Sequence, residues 1–151
     1  MRRSGAVART TVCFGIGYQG RSLAEFCQTL IDAEVSRLID VRERAWSHRP
    51  EFRKGAMTHA LAEHGIEYVH CKEAGNPHRP HAGEQLSAKK CLALYSAHLD
   101  EHPAVLVALT SLMQGHRAAL FCYESTRDQC HRGVLMAALV AQDAAVELKD
   151  L

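Results

Sequence analysis

No run of apolar residues in this chain approaches the ~20 that carry a helix across a bilayer, so no membrane span is expected. The basic opening, MRRSGAVART, has no apolar segment behind it, which argues against a secretory signal. No two cysteines stand at the C-x-x-C spacing common to structural zinc sites and dithiol redox motifs. An excess of charge of either sign is also missing. The 18 Lys and Arg face 17 Asp and Glu, for a net charge of +1, so overall charge points to neither nucleic acid nor an anionic surface. There is no low-complexity tract, internal repeat or linker-like stretch. Six cysteines in 151 residues are too dilute for a small disulfide scaffold. They are expected to be mostly reduced, in a cytoplasmic protein.

What is present reads as one α/β domain over residues 10–151, behind a leader, residues 1–9, expected to be disordered. Strands are expected at Thr10–Gly15, Val35–Val41, Ile66–Cys71, Ala118–Cys122 and Val146–Leu148, from their β-branched and apolar runs. Between them lie helical patterns. Ser22-x-x-Glu25 is a capping box opening a helix to about Ala33, with Leu23, Phe26, Leu30 and Ile31 as its apolar face. A second helix spans Arg53 to Gly65, a third Ser87–Leu99, a fourth runs from His102 or Pro103 to Gln114, and a last one from Cys130 or His131 to about Gln142. The Gly-, Pro- and His-rich segment Lys72–Glu84 reads as a long loop, a kind of segment that is often functional.

Strands alternating with helices predict a Rossmann-like three-layer sandwich with a mostly parallel five-stranded sheet, in the order 3-2-1-4-5. Strands one and four then lie side by side at the switch point where such sheets bind ligands. The loops GIGYQGRS, RERAWSHRPEF, KEAGNPHR and CYESTRDQCHR share one rim.

The stretch Ala118–Gly133, AALFCYESTRDQCHRG, concentrates chemistry: two cysteines, an acid, a histidine and two arginines. Cys122, at a strand end with Arg127 and a helix start nearby, has the setting of an activated thiol. It equally suits a small buried apolar residue. Glu124 and His131 are candidates for proton transfer, or for capping and internal ion pairing. Cys122, Glu124, Cys130 and His131 are therefore the candidate catalytic residues. Arg132 is a candidate bidentate anion clamp.

The glycines of Gly15-x-Gly17-x-x-Gly20 suit a phosphate contact by backbone amides with Arg21. Asp40 lies at the distance of a ribose-binding acid, but the capping box starts the helix too late for a dinucleotide fingerprint. Between Arg42 and Lys54, five Lys/Arg against two Glu make a local +3. Arg42, Arg49 and the stacking surface of Trp46 suit a nucleotide or nucleic acid strand, while a solvated loop is the plain alternative. Glu73 and Asn76 are candidates for the pocket wall. The candidate ligand-binding set is thus Gly17, Tyr18, Arg21, Asp40, Arg42, Arg49, Glu73, Asn76 and Arg132. No metal and no cofactor are expected: adjacent Cys130 and His131 make an awkward chelate.

The chain resembles the domain-of-unknown-function 488 family over nearly its whole length. The resemblance rests on GIGYQGRS, IDVRE with SHRPEF, KEAGNP, and FCYE…CHR, in order and at family-like spacing. It implies a small cytoplasmic Rossmann-like domain whose pocket holds Tyr18, Arg21, Asp40, Arg42, Cys122, Glu124, Cys130, His131 and Arg132. A weaker likeness is to rhodanese-type sulfurtransferases: LIDVRE is similar to an early strand there, and Cys122-x4-Arg127 to an active loop carrying a persulfide on cysteine. The segment Tyr123–Thr126 departs from that pattern in lacking glycine.

Together these residues predict an enzyme, a hydrolase or transferase, acting on a phosphate-bearing ligand: a nucleotide, base or nucleic acid. The alternatives are a rhodanese-like sulfurtransferase using Cys122, and a nucleotide- or redox-sensing module without turnover. The partner is an anionic small molecule or nucleic acid. The oligomeric state is open, a homodimer included.

Overall fold

The computed structural model describes residues 11–78 and 87–151. The expected disordered leader and part of the expected loop before residue 87 lie outside the described residues. Five strands and five main helices alternate: β1 (Thr11–Gly17), α1 (Leu23–Asp32), β2 (Arg37–Asp40), α2 (Lys54–Ala62), β3 (Glu67–His70), α3 (Ala88–Glu101), α4 (Ala104–Met113), β4 (Ala118–Cys122), α5 (His131–Gln142) and β5 (Val146–Asp150). All four strand pairings are parallel.

The strand order is β3-β2-β4-β1-β5, which corrects the expected 3-2-1-4-5. β1 and β4 are neighbours as expected, but β4 holds the centre. Its five residues, AALFC, are all buried, as a strand covered on both faces must be. β1 begins at exposed Thr11 and gives its outer edge to β5, with Gly15 in register with Asp150. Both strands are apolar, so composition alone did not rank them.

The pleat sends alternate residues to two cores. Leu38, Phe14, Ile16, Ala119 and Phe121 pack with Phe26 and Leu30 of α1 and Met57 and Leu61 of α2. Ile39, Ala118 and Leu120 pack against Tyr95 of α3, Leu109 of α4 and Leu135 and Met136 of α5. This is the three-layer arrangement. Ser22 caps α1: its hydroxyl accepts from the Glu25 amide at 3.1 Å, and Glu25 Oε1 accepts from the Ser22 amide at 3.0 Å. Cys27, not Ile31, completes the apolar face of α1. Among the described residues no helix is long and apolar enough to cross a membrane.

β1 runs two residues further than expected, so Gly17 joins Gly15 as a strand residue. A Cβ on Gly15 would sit 2.9 Å from Met136 Sδ and 3.3 Å from Arg132 Nε, and one on Gly17 would overlap the Glu124 carbonyl. These glycines let α5 and the β4 loop press onto the strand. Only Gly20, at φ 76°, serves the turn itself.

Candidate active site

At the C-terminal ends of β1, β2, β3 and β4 the four expected loops meet in two pairs. The Gln19 amide donates to the Tyr123 carbonyl at 2.9 Å, and the Ser125 amide donates to Gln19 Oε1 at 3.1 Å. Gly75, after β3, packs onto the backbone of Glu43, after β2.

At the centre stands Cys122, 1% exposed, at the end of β4. It is joined to Cys130, the N-cap residue of α5, by a disulfide. Cys13, Cys27, Cys71 and Cys91 are free and buried. Arg132 Nη1 donates to Cys122 Sγ at 3.2 Å and to the Glu124 carbonyl at 2.7 Å. The Arg132 amide donates to Cys130 Sγ at 3.4 Å. Glu124 Oε2 lies 3.4 Å from Cys122 Sγ. His131 Nε2 lies 2.6 Å from the Val41 carbonyl, which makes Nε2 the donor, and Nδ1 lies 3.8 Å from Cys130 Sγ. Tyr95 meets the His131 ring edge-on at 5.1 Å, and its hydroxyl donates to the Ala74 carbonyl at 2.6 Å.

A family model described as domain of unknown function DUF488 matches residues 22–139. The chain belongs to that family. Neither curated proteins nor solved structures give a significant match.

In this DUF488 chain the arginines have unequal roles. Arg42 is buried and locked to Asp40, Nε at 2.9 Å from Oδ1 and Nη2 at 2.6 Å from Oδ2. Burial opposes the charge on Arg42, but the hydrogen bonds and attraction of Asp40 outweigh it and raise its pKa. The Tyr68 hydroxyl donates to the same carboxylate, and burial, then Asp40, push the Tyr68 pKa up. Asp40 is fully buried, so Asp40 and Arg42 brace the end of β2 and face no solvent. Tyr18 is likewise structural, stacked on Phe52 at 4.3 Å with its hydroxyl 2.9 Å from Ser47 Oγ. Arg49 covers Phe52 at 4.5 Å and pairs with Glu51 at 3.3 Å. Asn76 shapes a turn through its 2.9 Å bond from the His78 amide, and Glu73 accepts from Cys71 Sγ at 3.6 Å. Trp46 is exposed, with Arg53 4.7 Å over its ring.

A second cluster lies where β1 and β5 end. Arg21 Nη2 donates to the Leu151 carbonyl at 2.7 Å, and Arg127 Nε pairs with Asp150 at 3.3 Å. Arg132 Nε lies against Gly15, whose register partner is Asp150. Among the described residues Arg21 Nη1, Arg127 Nη1 and Arg132 Nε, like Arg37 Nε outside this cluster, are buried and form no hydrogen bond with the protein. Burial lowers the Arg132 pKa; Glu124 and Asp150 oppose this, while Arg127 and Arg21 add to it. Arg127 and Asp150 were absent from the expected ligand set. Arg127 was legible as a charge near the Cys122 thiol and as the end of Cys122-x4-Arg127, but not as part of an anion site, and no local pattern ties Asp150 to it across 23 residues.

A groove of about 1010 Å³ runs between α3, α4 and α5, lined in part by Leu99, Leu106 and Asp128; of the residues above, Cys130 and Arg127 line it. The loop amides do not converge on Cys122: the Glu124 and Ser125 carbonyls turn to Arg132, and the Ser125 amide is taken by Gln19.

Proposed function

We propose that this DUF488 protein is an enzyme acting on an anionic, phosphate-bearing ligand, with a nucleotide or nucleic acid end as its substrate class. The observation that carries this reading is the convergence of Arg21, Arg127 and Arg132, each with a buried nitrogen that makes no hydrogen bond. Buried polar groups are nearly always partnered by protein, water or ion, and guanidinium groups suit phosphate oxygens in planar, bidentate fashion. Arg42 drops out of the clamp because Asp40 holds it, and Arg127 takes its place. Glu124, beside Cys122, is the acid–base group. His131 works on the Cys130 sulfur, since one ring nitrogen is held by the Val41 carbonyl and the other faces that sulfur.

The test is a thermal-shift and turnover screen over inorganic phosphate, pyrophosphate, nucleotides and short oligonucleotides. A bound anion raises the melting temperature, by up to about 2.7 kcal/mol of stabilisation at a hundred times Kd. Wild-type protein that neither shifts nor turns over any of these ends the reading.

Sulfur transfer is the second reading, favoured by the Arg132–Cys122 contact, which supports a thiolate. In the dithiol form, Cys122 thiolate attacks the outer sulfur of thiosulfate, leaving a persulfide on Cys122 and releasing sulfite. Mass spectrometry of reduced protein after thiosulfate treatment checks for one added sulfur, absent in Cys122→Ser.

A further inference from the structure

We propose that reduced Cys122, Cys130 and His131 form a binding site for one thiophilic divalent metal ion, with zinc the best match. The sequence spacing argues against this, but the strand–loop–helix geometry removes the objection. One ligand atom from each of the three residues lies within 4.8 Å of the others, and all three residues are buried. A tetrahedral centre with zinc–sulfur bonds near 2.3 Å and zinc–nitrogen bonds near 2.0–2.1 Å places its ligand atoms about 3.5–3.8 Å apart. His131 Nδ1 and Cys130 Sγ are already 3.8 Å apart.

The surroundings match a metal centre in two further ways. First, His131 gives its Nε2 proton to the Val41 carbonyl. This fixes the tautomer and turns the Nδ1 lone pair towards the sulfurs, the usual arrangement behind a metal-bound imidazole. Second, both sulfurs receive N–H donors from Arg132, one from its backbone and one from its guanidinium. Such donors stabilise thiolates, the form that binds metal. Two thiolates and one divalent ion are together neutral, so the ion adds no net charge beside buried Arg132.

The backbone spacing supports the same conclusion. The Cα atoms of Cys122 and Cys130 are 7.5 Å apart, beyond the roughly 4.4–6.8 Å usual for a disulfide. That spacing suits two sulfurs on either side of a larger atom. Glu124 Oε2, 3.4 Å from Cys122 Sγ, stands beside the three ligands and keeps its acid–base role, and the fourth position of the tetrahedral centre is open. Soft thiolates with an imidazole select zinc over magnesium or calcium. Metal and disulfide are then alternative states of one pair of cysteines: a two-electron oxidant such as a peroxide or a small-molecule disulfide takes the two electrons of the thiolates as the S–S bond forms and the ion leaves, and a thiol reductant returns them. The metal ligands are separate residues from Arg21 and Arg127 of the anion cluster.

The experiment uses the full chain, reduced and stripped with a chelator under argon, then titrated with cobalt(II) and zinc. The expected result is one ion per chain, a thiolate-to-cobalt charge-transfer band, and protection by zinc of two of the six thiols against alkylation. Cys130→Ser and His131→Gln, with folding checked by circular dichroism, weaken cobalt binding by about tenfold or more. His98→Gln leaves it unchanged, which separates this centre from the stacked His98 and His102. Arg127→Gln also keeps one metal per chain while losing any phosphate-induced thermal shift, so the two proposals fail separately. Two results overturn the metal site: reduced wild-type protein that binds no stoichiometric metal and, on addition of oxidised glutathione, re-forms the disulfide equally fast with and without zinc, or cobalt binding unaffected by Cys130→Ser and His131→Gln.

Discussion

Arg132 and Cys122 meet at 3.2 Å in the interior, guanidinium to sulfur. The arginine is 1% exposed and also holds the Glu124 carbonyl and, at 3.4 Å, the Ser125 carbonyl. One side chain from the first turn of α5 thus fixes the loop after β4 and sets the charge around its cysteine. Replacing Arg132 with Met fills similar space but takes the donor from the carbonyls of half-buried Glu124 and exposed Ser125. The expected cost is about 1–2 kcal/mol, read from urea denaturation. Alkylation of reduced Cys122 at fixed pH should slow as well. Unchanged stability and unchanged alkylation would show that the contact has no energetic role.

Gly17 tests the close approach of β1 to the β4 loop. A Cβ there overlaps the Glu124 carbonyl, a backbone atom with little freedom to retreat. Gly17→Ala is expected to cost about 3 kcal/mol or more, at the severe end of overpacking. Gly20→Ala meets no atom but keeps φ at 76°, which costs about 1–2 kcal/mol. Denaturation of both variants should rank Gly17→Ala as the more damaging.

Asp40→Asn leaves the Arg42 guanidinium buried without its countercharge. Breaking such a pair costs about 3–5 kcal/mol. The loss is expected in stability and in the order of the Arg42–Lys54 loop, measured by denaturation and hydrogen exchange. A variant as stable as wild type would show that Arg42 finds another partner.

Alkaline pH should weaken the fold through two buried thiols. Burial pushes Cys13 up to about 12 and, with Glu73 adding to it, Cys71 up to about 11, from an ordinary value of 9.0. Both are raised, so their contribution is complete below pH 9 and is lost as pH climbs towards those folded values. Each thiol adds a slope of up to about 1.4 kcal/mol per pH unit above pH 9. Urea denaturation between pH 8 and 11 measures this, and Cys13→Ala should flatten the decline.

Glu124→Gln keeps size and loses the proton-accepting oxygen. If Glu124 is the acid–base group, turnover of any substrate found in the screen falls by about 10²–10⁴-fold, with the anion-induced thermal shift retained. Undiminished turnover would remove Glu124 from the chemistry.

Much of the architecture was legible in the residues themselves. Five apolar runs, the Ser22–Glu25 capping box, Gly65 at φ 72° after α2 and the start of α5 at His131 are local features. They depend on periodicity and capping within a few residues. The pairing of β1 with β4, and with it the meeting of their loops, followed from alternating strands and helices. The DUF488 motifs were also readable, and they mark the rim where Cys122, Glu124, Cys130, His131 and Arg132 gather.

Tertiary structure decided the rest, because it depends on distances between segments remote in sequence. That β4 rather than β1 is central was set by how two helical layers close over the sheet. How each arginine is engaged depends on partners no local pattern names: Asp40 takes both Nε and Nη2 of Arg42, whereas Asp150 holds Arg127 by Nε and the Glu124 and Ser125 carbonyls hold the two Nη atoms of Arg132, which leaves Arg127 Nη1 and Arg132 Nε without a hydrogen bond among the described residues. Charge in a sequence is a count. Whether a guanidinium is held within the protein or turned towards a ligand depends on which oxygen the fold brings within about 3 Å of it.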